Sequence, residues 1–114
     1  MEISSEQMGA YDLVKVSGRV DSFTAPKLGE TVNAIIHSGR YKIILDLERV
    51  DYISSAGLRV LIDAQKTCKH SNRGELILVA VPRRIYETLE LAGFVPLFRL
   101  CESIDQAAKI LESV

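Results

Sequence analysis

Long apolar runs, histidine and cysteine are all scarce in this 114-residue sequence. The longest unbroken apolar runs are only a few residues, such as Leu76 to Val81, whereas a membrane-spanning helix needs about 20. The N-terminal stretch MEISSEQMGAYD is polar and acidic, so it lacks the basic start and apolar run of a secretory signal. We therefore expect a soluble, cytoplasmic protein that makes no membrane contact.

The residues that usually bind metals or form disulfides are too few and too scattered to suggest either. The two histidines, His37 and His70, lack metal-ligand spacing to each other or to a cysteine. Cys68 and Cys101 lie far apart in sequence, each within a predicted regular element. Two reduced, mostly buried thiols are the ordinary interpretation of such a pair. We expect no metal, no cofactor and no disulfide.

The charge balance argues against nucleic acid as a partner. Fourteen basic and 15 acidic residues give a net charge of -1, and no predicted helix carries a basic stripe, so the electrostatic footprint of a nucleic-acid binder is missing. About half of the residues, 47%, are apolar, which suffices for a core at this length. No linker or repeat interrupts the chain, so we expect one domain over residues 1–114.

Alternating strand and helix patterns predict the order ββαβαβαβα. The predicted strands are Glu2–Met8, Tyr11–Val16, Tyr41–Leu47, Glu75–Val81 and Leu97–Cys101. The predicted helices start near Pro26, Ala56, Pro82 and Ser103, and end near Gly39, Asn72–Gly74, Gly93 and Val114. This order indicates an α/β fold whose mixed, mostly parallel sheet has about five strands and four covering helices. Ser17–Asp21 is interpreted as a polar loop, and Thr24 and Ser103 as helix caps.

The stretch YISSAGLRVL, from Tyr52 to Leu61, puts two serines where a helix should begin. A hydrolase elbow would need glycine two residues before and after the nucleophile. Around Ser55 the downstream Gly57 is present, but Ile53 occupies the upstream position, and no histidine lies in a loop suited to a base. We do not expect an enzyme.

Two further functions for these serines stay open at this point. A nucleotide is poorly supported, because neither GxxxxGK[ST] nor GxGxxG occurs. A covalent phosphate on a serine in the first helical turn would be tolerated by the helix dipole and the free N–H groups. The plain alternative is that Ser54 and Ser55 only cap the helix, which stabilises it by about 1 kcal/mol.

The stretch LDLERVDYISSAGLRVLI, Leu45 to Ile62, resembles the signature of STAS domains, specifically the bacterial anti-sigma factor antagonists. The resemblance covers essentially the whole chain. It includes the Gly-x-x-Asp at Gly18 to Asp21, the strand IILDL, and LAGF at Leu91 to Phe94, after the helix that opens at Pro82.

This resemblance implies a protein–protein phosphoswitch. The unphosphorylated antagonist would bind an anti-sigma factor that is also a serine kinase with a histidine-kinase-like ATPase fold. Phosphorylation would release it, and a metal-dependent serine phosphatase would reset it. The acceptor position matches Ser55, Asp21 matches an acidic position beside it, and Gly57 matches the glycine that lets the helix start close to the partner.

The sequence departs from the family pattern at two positions. Ser54 stands where many antagonists carry aspartate, and Ala56 where Ser or Thr is frequent. Ser54 leaves a second hydroxyl to consider, whereas Ala56 cannot be phosphorylated. A constitutive STAS interaction module and a nucleotide-binding STAS domain are the alternatives that stay open.

The expected partner-binding surface combines the loop before the first helix with the serine stretch. Phe23 is interpreted either as an interface anchor or as a staple onto the helix below it. Arg59 and Asp63, four residues apart, are expected to pair with each other or with partner charges. The predicted surface residues are Asp21, Phe23, Thr24, Ser54, Ser55, Ala56, Gly57, Leu58 and Arg59.

Overall fold

Five strands form one sheet in a computed structural model that describes residues 1–71 and 74–113. The strands are β1 (Glu2–Gln7), β2 (Asp12–Val20), β3 (Lys42–Ile53), β4 (Glu75–Val79) and β5 (Arg99–Cys101). The helices are α1 (Ala25–His37), α2 (Ser55–His70), α3 (Arg83–Leu91) and α4 (Ile104–Glu112), with a single 3-10 turn at Val95–Leu97. The predicted order ββαβαβαβα is confirmed.

The strands lie side by side in sequence order. β1 and β2 form an antiparallel hairpin, and β2 to β5 are parallel. Buried side chains of α1, α2 and α3 pack on one face of the sheet, and those of α4 pack on the other. Because parallel strands need both faces covered, β3 and β4 read as nearly continuous apolar runs, IIL and LILV. The carboxyl ends of β2 and β3 meet at one edge of this sheet.

β3 is longer than its sequence pattern predicts. Its pairing with β2 shifts register twice, so that 11 residues of β3, from Ile43 to Ile53, face nine residues of β2. Each shift adds one residue to β3, which is the signature of a β-bulge. Past the first bulge the buried residues Leu47, Val50 and Ile53 recur every third position. The prediction that this strand ends at Leu47 is therefore wrong.

Other predicted boundaries need smaller corrections. Ser17–Val20 continues β2 and is not a loop, since the extended β3 supplies it with a partner strand. β4 stops at Val79, and the residues before Arg99 form the 3-10 turn, so these two strands are shorter than predicted. The predicted end of α2 at Asn72–Arg73, and the final Val114, lie outside the described residues. Ser103 caps α4 as predicted, since its hydroxyl accepts from the Gln106 amide at 3.2 Å.

A buried glutamine joins α2 to the sheet. Gln65 is 4% exposed, and its Nε2 donates to the carbonyls of Leu76 and Leu97, each at 3.0 Å. Its Oε1 accepts from the Leu76 amide at 2.8 Å. These three hydrogen bonds fix α2 against β4 and the 3-10 turn, because a buried amide side chain is stable only with its polar atoms paired.

The cysteines and histidines lie where the sequence predicts. Cys68 and Cys101 are free thiols; Cys68 is buried and Cys101 partly buried. Burial raises the pKa of Cys68 to about 11, so its thiol is protonated and unreactive at neutral pH. His37 and His70 are exposed and end α1 and α2. Among residues 1–71 and 74–113 no three His, Cys, Asp or Glu side chains are grouped to hold a metal ion.

Candidate functional site

The two segments of the serine site are hydrogen-bonded to each other. Where β3 ends, the Ser54 amide donates to the carbonyl of Val20, the last residue of β2, at 2.8 Å. Two residues before Val20, Gly18 has a φ of +88°, which a residue without Cβ adopts at little cost. It lies at the second register shift between β2 and β3. The glycine of the Gly-x-x-Asp motif thus accommodates the backbone at this register shift, two residues before Val20 meets Ser54.

The two serines have different environments. The Ser54 hydroxyl accepts from the Gly57 amide at 3.3 Å, so Ser54 is the N-cap of α2. Ser55 is the first residue of α2; it is exposed, and its hydroxyl makes no hydrogen bond within the described parts of the chain. Capping therefore accounts for one serine and leaves the other available to a partner or an enzyme.

The loop between β2 and α1 is a tight turn built on Asp21. One carboxylate oxygen of Asp21 accepts from the amides of Phe23 and Thr24, at 3.0 and 3.1 Å. The Asp21 amide in turn donates to the Thr24 hydroxyl at 2.8 Å. This hydroxyl lies 3.0 Å from the Arg19 carbonyl. Thr24 is the N-cap residue of α1, as predicted, but its side chain makes no capping hydrogen bond. The Thr24 hydroxyl closes the turn instead, since it accepts from the Asp21 amide.

Hydrogen bonds from the Thr24 and Phe23 amides, together with the Arg19 guanidinium 3.4 Å away, hold the pKa of the Asp21 carboxyl below its ordinary value. A carboxyl whose pKa is depressed by folding stabilises the fold above its unfolded pKa, and this contribution is lost as pH falls through the folded value. We predict that wild type loses thermal stability below about pH 4 more steeply than Asp21→Asn does. Melting curves from pH 2 to 7 measure this; parallel profiles for the two proteins would show that the turn does not depend on the charge.

An arginine that the sequence analysis did not single out completes this corner. Arg19 Nε lies 3.4 Å from the second carboxylate oxygen of Asp21, and the guanidinium sits 3.9 Å above the ring centroid of Tyr52. Arg19 and Tyr52 are directly opposite each other in the β2–β3 register, so a cation–π contact forms across the strands. In the sequence, an arginine precedes the Asp motif and an aromatic residue precedes the Ser motif. These two residues could have suggested a contact, but only the bulged strand register shows that they are paired.

Phe23 is the most exposed large apolar residue of the site. Its relative exposure is 92%, so the interpretation of Phe23 as a staple packed onto the helix is wrong. Its backbone is nevertheless fixed, because the Phe23 amide donates to Asp21. A rigidly held, solvent-exposed aromatic is the usual form of an interface anchor.

The first turn of α2 divides into a buried and an exposed side. Gly57 and Leu58 are buried, whereas Ala56 is partly buried and Arg59 is exposed. A Cβ on Gly57 would lie 2.8 Å from side-chain carbons of both Val20 and Ile53. Glycine is therefore required here for packing within the chain. Within the described residues, Arg59 makes no ion pair with Asp63.

The whole arrangement matches a known domain family. The family model for the STAS domain matches residues 5–107. The chain belongs to the STAS family. Within residues 1–71 and 74–113, no helix of this STAS domain is both long and apolar enough to span a bilayer.

Similar proteins are named as regulators of sigma factors. One relative is BtrV of Bordetella bronchiseptica, which is named as a candidate anti-sigma factor antagonist. It is 32% identical to this chain, and the match covers 95% of this chain and 92% of BtrV. The anti-sigma-B factor antagonist of Staphylococcus aureus is 30% identical over 92% of this chain and 96% of its own. The fold also matches the phosphorylated form of the Bacillus cell fate determinant SpoIIAA, with a TM-score of 0.74, 15% identity, and coverage of 95% and 97% of the two chains.

Proposed function

We propose that this STAS domain is an anti-sigma factor antagonist controlled by phosphorylation of Ser55. In the unphosphorylated form it binds an anti-sigma factor in the cytoplasm and frees the sigma factor. The observation that carries this proposal is the different environment of the two serines, since Ser54 caps α2 while the Ser55 hydroxyl is exposed and unbonded.

The position of Ser55 suits a phosphate. Ser55 is the first residue of a 16-residue helix, and its own amide and that of Ala56 have no intrahelical partner. The positive end of the helix dipole adds a favourable field. A phosphate on Ser55 therefore costs the fold little, so its effect falls on the surface that a partner contacts.

The proposed partner surface lies around Ser55. Phe23 supplies an apolar anchor, and Arg59 and the fixed Asp21–Thr24 turn supply polar contacts. Gly57 and Leu58 are buried, so they support this surface from beneath. Shape and charge at the rim then determine which anti-sigma factor is bound.

The enzymes of the switch are part of the same proposal. The partner is an anti-sigma factor that acts as a serine kinase with a histidine-kinase-like ATPase fold, and a metal-dependent serine phosphatase removes the phosphate. Ser54 replaces the aspartate that is frequent before the acceptor, so the kinase docks against a less acidic edge. Two relatives named as anti-sigma factor antagonists, each about as long as this chain, support this partner class.

Phe23→Ala is predicted to weaken partner binding by about 30-fold or more, because truncating an anchor costs about 2 kcal/mol or more. The melting temperature should stay unchanged, since the ring contributes little burial. Leu91→Ala is the matched control, because Leu91 is 91% exposed at the end of α3 and is not part of the proposed partner surface. Titration calorimetry with the purified anti-sigma factor measures both; equal losses in the two variants would remove Phe23 from the interface.

The proposal as a whole is tested by intact-mass spectrometry of the protein purified from its own host, followed by peptide mapping of Leu45 to Arg59. One phosphate on Ser55 supports the switch, and a phosphate on Ser54 would move the acceptor. A protein that is never phosphorylated in any growth condition would make this a constitutive binding module. Saturable binding of GTP or ATP would instead favour a nucleotide-binding STAS domain.

A further inference from the structure

An open apolar groove lies between α2 and the 3-10 turn at Val95–Leu97. Its volume is about 260 Å³, below the roughly 300–1,000 Å³ of pockets that hold drug-sized ligands, so its size suits one or two apolar side chains of another protein. Leu97 is 44% exposed and Pro96 is exposed, so the apolar wall is open to solvent. The lining residues are Ile62, Gln65, Lys66, Lys69, Pro96 and Leu97.

The groove is already formed in the domain alone. The buried Gln65 donates from Nε2 to the Leu97 carbonyl at 3.0 Å, which ties the turn to α2. The Leu97 amide donates in turn to the Phe94 carbonyl at 3.0 Å, and the Phe98 amide donates to the Val95 carbonyl at 3.2 Å. Both walls are therefore fixed before a partner arrives, so binding does not bear the free-energy cost of ordering them.

The rim of the groove is cationic. Lys66 and Lys69 are exposed, and within residues 1–71 and 74–113 neither forms an ion pair. No acidic side chain of the described residues lines the groove. Lysine stems cover apolar surface while their ammonium groups stay in water. The groove therefore complements an apolar side chain that is flanked by carboxylates.

The groove lies on the helix face that also carries Ser55. Ile62, Lys66 and Lys69 follow Ser55 by 7, 11 and 14 residues, and at about 3.6 residues per turn these positions share one face of α2. A rise of about 1.5 Å per residue places Lys66 about 17 Å along the helix from Ser55. A partner that covers Ser55 can therefore reach the groove along the same helix.

We propose that this groove is a second docking point for the anti-sigma factor and receives an apolar side chain from one of its acidic segments. This inference rests on the proposed function, because it assigns a further contact to the same partner. The groove lies about 17 Å from the phosphate acceptor, and sites more than about 10 Å apart contribute almost independently. Phosphorylation of Ser55 therefore weakens one end of the complex and leaves the groove contact unchanged.

Leu97→Ala is expected to speed dissociation of the unphosphorylated complex about tenfold, because it removes an apolar contact side chain. The backbone carbonyl that Gln65 holds stays in place. Surface plasmon resonance with the full chain and the purified anti-sigma factor measures the rate, since most effects of interface mutations appear in dissociation. Leu91→Ala is the matched control, because Leu91 is 91% exposed and does not line the groove.

Lys69→Glu is expected to slow association about fivefold at low salt, because a charge at an interface rim acts mainly on the association rate. The difference should shrink at about 1 M salt, where charges are screened. Lys109→Glu is the matched control, since both lysines are exposed in the last turn of their helices and α4 packs on the other face of the sheet. Lys69 is exposed, so this variant still tests the groove if Leu97→Ala loses stability.

The same rates measured with phosphoserine installed at position 55 by genetic-code expansion separate the two proposals. Rates in Leu97→Ala and Lys69→Glu that equal those of their controls would overturn the groove contact and leave the phosphoswitch standing. Weaker binding by both groove variants, with no effect of the phosphate, would support the groove and reject the switch. Failure of the unphosphorylated wild type to bind the anti-sigma factor would reject both.

Discussion

Phosphorylation of Ser55 is expected to weaken the complex with the anti-sigma factor by several hundred-fold. The phosphate would add a charge of about -1.5 to -2 to the proposed partner surface, which also carries the Asp21 carboxylate. An unfavourable free energy of about 3 to 4 kcal/mol corresponds to this change in Kd. Titration calorimetry of the phosphorylated and unphosphorylated proteins measures it directly.

Three serine variants separate charge from capping. Ser55→Ala should bind the kinase as wild type does but resist release by ATP, and Ser55→Asp should bind poorly. Ser54→Ala is the matched control, because it removes the cap and costs about 1 kcal/mol of stability while leaving the acceptor in place. A Ser55→Asp protein that binds as tightly as wild type would rule out the charge mechanism.

Gln65→Met is expected to lower the free energy of unfolding by about 3 kcal/mol. Methionine has a similar shape but leaves the Leu76 amide and the carbonyls of Leu76 and Leu97 without their side-chain partner, and each unsatisfied buried group costs about 1–3 kcal/mol. For a domain of this size the melting temperature should fall by about 10 °C. Thermal and urea unfolding of the purified variant measure the change.

Lys66→Met is the control for Gln65→Met, because it introduces the same residue one position further along α2, where the side chain is exposed. It should change stability by less than about 0.5 kcal/mol. If the two variants have the same melting temperature, the hydrogen bonds of Gln65 make no net contribution to stability, and α2 is held by its apolar contacts alone.

The fold follows from the sequence wherever apolar periodicity is regular. IIL and LILV in β3 and β4 predict buried parallel strands, and the helices show their apolar faces clearly. The second half of β3 was not predicted from the sequence, because two bulges change the spacing of its buried residues from two to three. Gln65 is buried on α2, but a sequence does not reveal which buried carbonyls its amide meets.

At the site, the sequence pointed to the two serines and Asp21, but it did not show which serine caps α2 and which is exposed. Ser54 and Ser55 are chemically alike, and only the backbone geometry makes one the cap. Thr24 has the chemistry of a cap, yet its hydroxyl accepts from the Asp21 amide within the turn. Arg19 and Tyr52 are 33 positions apart, so their contact depends on a strand register that bulges obscure.

The register of β3 also means that the two halves of this strand have different numbers of hydrogen-bonded neighbours. From Ile43 to Asp46 this strand has a neighbour on both sides, but from Arg49 to Ile53, within the described residues, only β2 flanks it. Local opening of a segment with fewer cross-strand bonds costs less free energy than global unfolding. The end that carries the serines can therefore adjust to the active site of the proposed kinase while the centre of the sheet, covered by helices on both faces, stays intact.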